Sequence, residues 1–175
     1  MSKIMYLHGL EGSPNGVKAT YLRERYTLVA PSLPAYGKDI NNLDEIIASL
    51  ENCVPIAKNA IQKEDPTLIV ASSFGGAVLM RLYQEGFWNK PSVFLAQGAI
   101  FLNVGNHLPK DARAIFIHGL QDDLVSSDHS KDICSNAGEN VEFWPVNDDH
   151  GLCKSLHDGT IERAIDTLLK RLANQ

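Results

Sequence analysis

LIVASSFGGAVLMRLY, residues 68–83, is the segment from which the architecture of the chain is most readily inferred. It begins with a short aliphatic run, passes through two serines and two glycines, and continues in residues that favour a helix up to about Gly86. An apolar run of this length followed by a sharp turn and a helix is typical of a buried strand with a helical crossover. The segment therefore predicts a strand, a turn near Ser73 and a helix.

Similar apolar runs recur along the chain between polar segments rich in turn residues. All but the last lack apolar/polar alternation, which is typical of strands buried on both faces. The six predicted strands are 4–7, 27–30, 68–71, 93–96, 114–117 and 141–144. Because strands alternate with helical segments, we predict an α/β protein: a three-layer sandwich with a mostly parallel sheet of about six strands and helices on both faces.

Two helices are marked by apolar residues three and four positions apart. The first covers 43–54, with Asn42 as its N-cap and Glu45 as the capping-box partner, and Pro55 is expected to end or kink it. The second covers 161–172 near the C-terminus, with Asp158 as its expected N-cap. Both helices have one apolar face to place against the sheet.

Length and composition limit the classes of protein that fit. The 175 residues, 44% hydrophobic and 21% charged, predict a single domain over 1–175. The net charge of −5 argues against a nucleic-acid partner, since phosphate binding depends on clustered Lys and Arg. The first apolar stretch is broken at His8, too early for a membrane span or signal peptide, so we expect a cytoplasmic protein. Cys53, Cys134 and Cys153 are expected to be reduced.

The turn after the third run has the steric pattern of a nucleophile elbow. Such a turn needs small residues two positions before and two after the serine, because strand and helix backbones approach closely there. Ser73 has Ala71 and Gly75 at these positions, whereas Ser72 would place Phe74 at one of them. Ala71 stands where a glycine is usual. The alternative is that Ser73 only caps the following helix.

The glycine-rich loop at 8–16 allows two interpretations. Phosphate binding is disfavoured, because a P-loop needs Gly-Lys-Ser/Thr and here Gly16 is followed by Val17. The alternative is that the loop turns backbone N–H groups toward the end of the sheet, where they could hold an oxyanion. We expect the N–H groups of Leu10 and Phe74 to serve in this way.

An acid and a base follow the last two predicted strands. Asp122 comes after the fifth run, with Asp123 as the fallback, and could orient a histidine; an Asp pair here could also be only a turn signal. His150 comes after the sixth run in a loop bounded by Gly151, where a general base for Ser73 is needed. The order Ser, Asp, His is the order found in α/β-hydrolases.

With these motifs the chain resembles the α/β-hydrolase superfamily over nearly its whole length. Its opening Tyr-Leu-His-Gly-Leu-x-Gly-Ser-Pro, residues 6–14, resembles the small bacterial esterases of the YqiA type. The resemblance implies a serine hydrolase that cleaves carboxyl esters or acyl thioesters of small molecules, with no metal or organic cofactor. It also implies that Ser73, Asp122 and His150 form the catalytic triad. A fold that binds a partner or small molecule without catalysis is the alternative.

The segment 97–113, where many relatives carry a lid, is too short for a lid domain, so we expect a minimal, lidless fold. Its apolar residues could line an acyl groove or simply close the core. The residues considered for the groove are Phe101, Leu102, Val104 and Leu108 on one side and Leu10, Tyr36 and Leu152 on the other. The sequence leaves the oligomeric state open.

Overall fold

A computed structural model describes residues 2–35, 39 and 41–174, which form a six-stranded sheet with helices on both faces. The strands are β1 Lys3–Leu7, β2 Thr27–Val29, β3 Leu68–Ser72, β4 Ser92–Leu95, β5 Ala114–Gly119 and β6 Val141–Val146. The helices are α1 Val17–Arg23, α2 Leu43–Glu64, α3 Phe74–Gln84, α4 Ser127–Asn136, α5 Cys153–His157 and α6 Thr160–Ala173. Tyr36, considered for the groove, lies outside the described residues.

The sheet is parallel throughout, in the order β2-β1-β3-β4-β5-β6. The predicted α/β class and all six strands are confirmed, with strand ends displaced by at most two residues. The protein has two hydrophobic cores, one on each face of the sheet. Side chains along each central strand alternate between them. In β1, Met5 and Leu7 pack with α2, α3 and α4, whereas Ile4 and Tyr6 pack with α1, α5 and α6. Each large apolar side chain buried in this way contributes about 1.5–3 kcal/mol.

The edge strand β2 is less buried than predicted, because its run was expected to be covered on both faces. In β2, Thr27 is exposed and Leu28 and Val29 are only half-buried. An edge strand has a neighbour on one side only, so it is less covered than a central strand whatever its composition. β6, at the opposite edge, is also mostly half-buried.

Helix α2 begins as predicted and ends later than predicted. The Asn42 side chain accepts a hydrogen bond from the Glu45 N–H (3.3 Å) and donates one to the Glu45 carboxylate (3.2 Å). The helix then continues through Pro55 to Glu64, so of the two expected effects of Pro55 the ending of the helix is wrong. Proline removes one backbone donor. Its cost is offset because apolar residues on both sides of it, such as Leu50 and Ile61, are buried in the core.

The N-cap of α6 is displaced by one residue. Asp158 ends α5, donating its N–H to the Lys154 carbonyl (2.8 Å), and Gly159 at φ +79° is the cap residue of α6. The Asp158 carboxylate still accepts from the Thr160 N–H (2.9 Å). The prediction failed because it did not include the short helix α5, whose end uses Asp158.

The order of the strands determines where a site can form. The chain leaves β1 toward β2 on one side and later returns to β3 on the other side of β1. In open parallel sheets ligands bind beyond the carboxyl ends of strands at such a switch point. The loops after β1 and β3, which carry His8–Gly9 and Ser73, lie at this position. No helix among the described residues is long and apolar enough to cross a membrane.

Candidate active site

Ser73 occupies a strained turn between β3 and α3. Its backbone has φ 51° and ψ −112°, a region that residues with a side chain rarely adopt and that costs about 1–3 kcal/mol. Hydrogen bonds hold it there: the Ser73 N–H donates to the Leu95 carbonyl (2.9 Å), and the Ser73 carbonyl accepts from the N–H groups of Gly76 (2.9 Å) and Gly98 (3.0 Å). The turn is thus fixed by its neighbours, and its side chain projects from the end of the sheet.

Close backbone packing explains the small residues around the serine. A Cβ atom at Gly75 would overlap the carbonyl group of Leu7 at the end of β1, so only glycine fits. Ala71, two residues before the serine, is fully buried in the sheet. The predicted need for a small residue two positions after Ser73 therefore has a direct steric cause in the contact between α3 and β1.

The Ser73 hydroxyl bonds to a histidine. Ser73 is the N-cap residue of α3, but its side chain makes no capping hydrogen bond, so the interpretation that it serves only as a side-chain cap is wrong. Its Oγ lies 3.0 Å from Nε2 of His150. The distance is within reach of a proton transfer.

His150 also contacts Asp122. Its Nδ1 lies 2.7 Å from Oδ2 of Asp122, and a carboxylate can only accept, so Nδ1 carries the proton. Nε2 is then free to accept the hydroxyl proton of Ser73. The structure thus brings Ser73, Asp122 and His150 into one hydrogen-bonded row. Of the two adjacent acids it is Asp122, and not Asp123, that makes this contact.

The Asp122 carboxylate is completely buried, with four donors around it. Oδ1 accepts from the N–H groups of Leu124 (3.0 Å) and Val125 (2.8 Å), and Oδ2 accepts from His150 and from Nε2 of His118 (3.0 Å). Burial acts to raise the pKa of Asp122. The hydrogen bonds from Val125, His150 and Leu124 outweigh it and hold the pKa below its ordinary value of 3.8. The carboxylate is therefore charged at neutral pH.

A second chain of hydrogen bonds reaches Asp122 through His118 of β5, and the sequence did not indicate it. The Gln97 amide donates to Oγ of Ser130 (3.0 Å), Ser130 lies 2.7 Å from Nδ1 of His118, and Nε2 of His118 reaches Asp122 and the Val125 carbonyl (3.0 Å). Because Val125 offers only an acceptor, Nε2 of His118 carries the proton and Nδ1 accepts from Ser130. Each group therefore donates to the next, from Gln97 through Ser130 to His118, and His118 donates to Asp122 and to the Val125 carbonyl.

The loop that carries His150 is held by Asp148, a buried acid that the sequence analysis did not single out. Its Oδ2 accepts from the N–H (2.8 Å) and the hydroxyl (2.9 Å) of Ser155, and its carbonyl accepts from the Gln121 N–H (3.0 Å). A Cβ atom at Gly119 would collide with this loop, so the end of β5 must be glycine. His150 is consequently held on a fixed loop next to Asp122.

One backbone N–H next to Ser73 in the chain and one in the loop packed against Ser73 have no hydrogen-bond partner among the described residues. Within the described part of the chain, neither the Leu10 N–H nor the Phe74 N–H donates a hydrogen bond. Phe74 directly follows Ser73, and Leu10 lines the same cleft as Ser73. Unsatisfied amides next to a hydroxyl are suited to hold a developing negative charge.

A cleft of about 810 Å³ opens over the serine and the histidine. It is lined in part by Leu10, Val17 and Leu124, and the last two are among the large apolar residues most exposed to solvent. For the other described candidates the structure favours the alternative interpretation, that they close the core. Four of the proposed residues are buried, three of them from the 97–113 segment in one core and one in the other core, and Phe101 packs half-buried against the first. The four are Leu102, Val104, Leu108 and Leu152.

Comparison with solved structures defines the class of fold. No family model and no curated protein matches the chain. Alpha/beta hydrolase domain-containing protein 10 from mouse is similar at a TM-score of 0.75 and 13% identity, over 97% of this chain and 90% of that one. Est1E from Butyrivibrio proteoclasticus, solved with ferulic acid bound, is similar at 0.74 and 16% identity, over 99% and 90%.

An esterase from Pyrococcus furiosus is similar at a TM-score of 0.72 and 15% identity, over 97% of this chain and 82% of that one. The protein thus has the α/β-hydrolase fold, as the resemblance implied. At these identities the likeness extends to the fold alone, and the similarity to YqiA-type esterases stays a prediction.

Proposed function

We propose that the protein is a serine hydrolase that cleaves carboxyl esters or acyl thioesters of small molecules through an acyl-enzyme on Ser73. The observation that carries the proposal is the contact of 3.0 Å between the Ser73 hydroxyl and Nε2 of His150, whose other nitrogen is held at 2.7 Å by Asp122. A neutral imidazole in this tautomer can accept the hydroxyl proton without any rearrangement.

In the first half of the reaction, Ser73 Oγ attacks the carbonyl carbon of the substrate while its proton moves to Nε2 of His150. The imidazolium that forms is stabilised by the buried carboxylate of Asp122. The carbonyl oxygen becomes negative and is held by the N–H groups of Leu10 and Phe74, each worth about 3–4 kcal/mol of the barrier if typical of such donors. His150 then gives its proton to the leaving alcohol or thiol as the bond to it breaks.

In the second half, water takes the place of Ser73 as the nucleophile. His150 accepts a proton from the water as its oxygen attacks the acyl carbon, and the proton passes to Ser73 Oγ as the acyl bond breaks. The products are the free acid and the regenerated hydroxyl. The apolar residues Val17 and Leu124 on the cleft suit an acyl chain, and their exposure favours small or flexible chains.

The test is turnover of p-nitrophenyl esters from acetate to octanoate by the wild type, by Ser73→Ala and by Ser72→Ala. Ser73→Ala should lose on the order of 10⁴ to 10⁶ in kcat, because the nucleophile is gone. Its melting temperature should stay close to that of the wild type, since the hydroxyl serves no cap. Ser72→Ala is the matched control on the adjacent residue.

Full esterase activity in Ser73→Ala would contradict the proposal. So would an inactive wild type that binds the esters unchanged, which is the behaviour of the non-catalytic binding protein.

A further inference from the structure

Lys18, near the start of α1, lines the same cleft as Ser73 and His150. Lys18 is half-buried, and its ammonium makes no hydrogen bond or ion pair with any described residue. Burial lowers the pKa of Lys18 below its ordinary value of 10.5, and nearby Cys153, Asp148 and Asp149 act in the opposite direction. Charges removed from water are normally paired, whereas this ammonium has lost part of its hydration without gaining a protein partner.

Lys18 is unusual among the cations of the molecule. The other described lysines with no hydrogen bond or ion pair are exposed on the surface; they are Lys131, Lys154 and Lys170. A half-buried cation such as Lys58 contacts an acid, in its case Glu85. Among the described lysines, partial burial without a partner is therefore confined to Lys18.

The acids nearest to Lys18 are engaged elsewhere. The Asp148 carboxylate is buried and accepts from both groups of Ser155 and from the Asp149 N–H (2.9 Å). The Asp149 carboxylate accepts from the Gly151 N–H (2.9 Å). Both acids thus hold the loop of His150, and neither lies within 4.0 Å of the ammonium. Glu11 and Asp39 also line the cleft, but both are exposed, where solvent weakens their attraction.

We propose that Lys18 binds an anionic group of the substrate, a carboxylate or a phosphate, so that the cleft favours acyl esters or thioesters with a negative charge. The inference rests on the proposed hydrolysis at Ser73. A compact ammonium on a flexible stem suits either anion, and the charge could lie on the acyl chain or on the leaving group.

Two pairs of esters test this inference. For the acyl side we compare p-nitrophenyl hydrogen adipate with its neutral amide, p-nitrophenyl adipamate. For the leaving group we compare 4-carboxyphenyl butyrate with 4-carbamoylphenyl butyrate. In at least one pair the wild type should favour the charged member by about ten- to a hundredfold in kcat/KM, the range of a hydrogen bond to a charged partner. The preference should weaken in 0.5 M salt.

The variant Lys18→Gln should bring this charged-to-neutral ratio close to one, whereas the control Lys131→Gln should leave the ratio unchanged. The inference fails if the wild type shows no preference for the charged member of either pair, or if Lys18→Gln retains the preference.

Binding to Ser73→Ala separates the two proposals, because this variant should bind p-nitrophenyl hydrogen adipate without cleaving it. Calorimetry should show tighter binding of this ester than of the adipamate, and the difference should vanish in Ser73→Ala/Lys18→Gln. If the wild type cleaves neither ester and this difference is present, the hydrolase function fails and the anion site stands. If the esters are cleaved with no charge preference, the hydrolase function stands and the anion site fails.

Discussion

The dipeptide His-Gly ends two of the parallel strands, as His8–Gly9 after β1 and as His118–Gly119 in β5. Both histidines are buried, at 1% and 0% exposure, and both lie close to the proposed active site. Their hydrogen bonds nevertheless differ. His8 lies 2.7 Å from the Gly9 carbonyl through Nδ1, and its Nε2 accepts from the Leu33 N–H (3.0 Å), so His8 holds only backbone.

His118 holds side chains instead. It accepts at Nδ1 and donates at Nε2, which is the reverse of His8. The same dipeptide thus carries opposite tautomers, chosen by the partners that each ring meets. His8 fixes the loop that contains Leu10, a proposed oxyanion donor, whereas His118 donates to Asp122, which contacts His150. One motif therefore serves the backbone half of the site and the other serves the side-chain half.

The largest effect is expected where the side-chain half is broken at Asp122. In Asp122→Asn an amide replaces an oxygen that accepts from two histidines, and His150 loses the tautomer that leaves Nε2 free. We expect kcat to fall by about 10⁴. Steady-state kinetics measure the loss, with Asp123→Asn as the control on the neighbouring acid. A loss of less than tenfold in folded Asp122→Asn would show that the carboxylate does not orient the base.

The comparison itself is tested by exchanging each histidine for Asn or for Gln. The side-chain amide of Asn lies near the position of the histidine Nδ1, and that of Gln lies near the position of Nε2. His118→Gln keeps a donor near Asp122, whereas His118→Asn does not. Loss of one buried hydrogen bond to a charge costs about 1–3 kcal/mol, so His118→Asn should lower kcat by about ten- to a hundredfold and His118→Gln by less. The downfield proton resonance of His150 Nδ1–H should move in His118→Asn. Equal kcat losses with an unmoved resonance would indicate a purely structural role.

At His8 the same exchange should affect stability more than kcat. His8→Asn leaves the Leu33 N–H without its acceptor, which should lower the free energy of unfolding by about 1–3 kcal/mol, whereas His8→Gln keeps an acceptor near Nε2. Urea unfolding measures both variants. If His8→Asn impairs kcat as much as His118→Asn does, the proposed division between backbone and side-chain support is wrong.

The smallest effect concerns pH, where the two histidines should behave alike. Burial lowers the pKa of both imidazoles below the ordinary 6.5, against the hydrogen bonds to the Gly9 and Val125 carbonyls. As pH falls below this value, the two histidines become protonated in the unfolded chain but stay neutral in the folded protein. The two histidines therefore leave the free energy of unfolding undiminished above about pH 6.5. Below that pH they decrease it, by at most about 1.4 kcal/mol for each histidine at pH 5.5.

Urea unfolding between about pH 7.5 and 5.5 measures this loss. It should be smaller in His8→Gln than in the wild type. An equal loss in both proteins would show that His8 does not contribute to it.

The parts of the molecule that follow local rules could be predicted from the sequence. Strand-turn-helix patterning and the small residues around Ser73 are local features, and they gave the sheet and the elbow. The order of Ser73, Asp122 and His150 added the long-range information that these loops share one edge of the sheet. The capping of α2 by Asn42 was likewise confirmed, because a capping box is encoded within four residues.

Features that depend on tertiary contacts could not be predicted. Pro55 lies within a helix because both sides of it pack against the core, and the apolar residues of the 97–113 segment pack in the core instead of lining the cleft. The partners of His118 lie on α4 and in the loop after β4, and no spacing along the chain signals that Ser130 and Gln97 meet there. The His-Gly pattern marked a turn but could not reveal what the ring would contact.

The most direct test of the account is the site of modification by a fluorophosphonate probe, mapped by mass spectrometry on the wild type and on His150→Ala. We expect one adduct for each wild-type chain, on the peptide that contains Ser73, and little or none in folded His150→Ala, because only a serine activated by a base reacts rapidly. Labelling at a different serine, equal labelling of both proteins, or no labelling of the folded wild type would contradict the account.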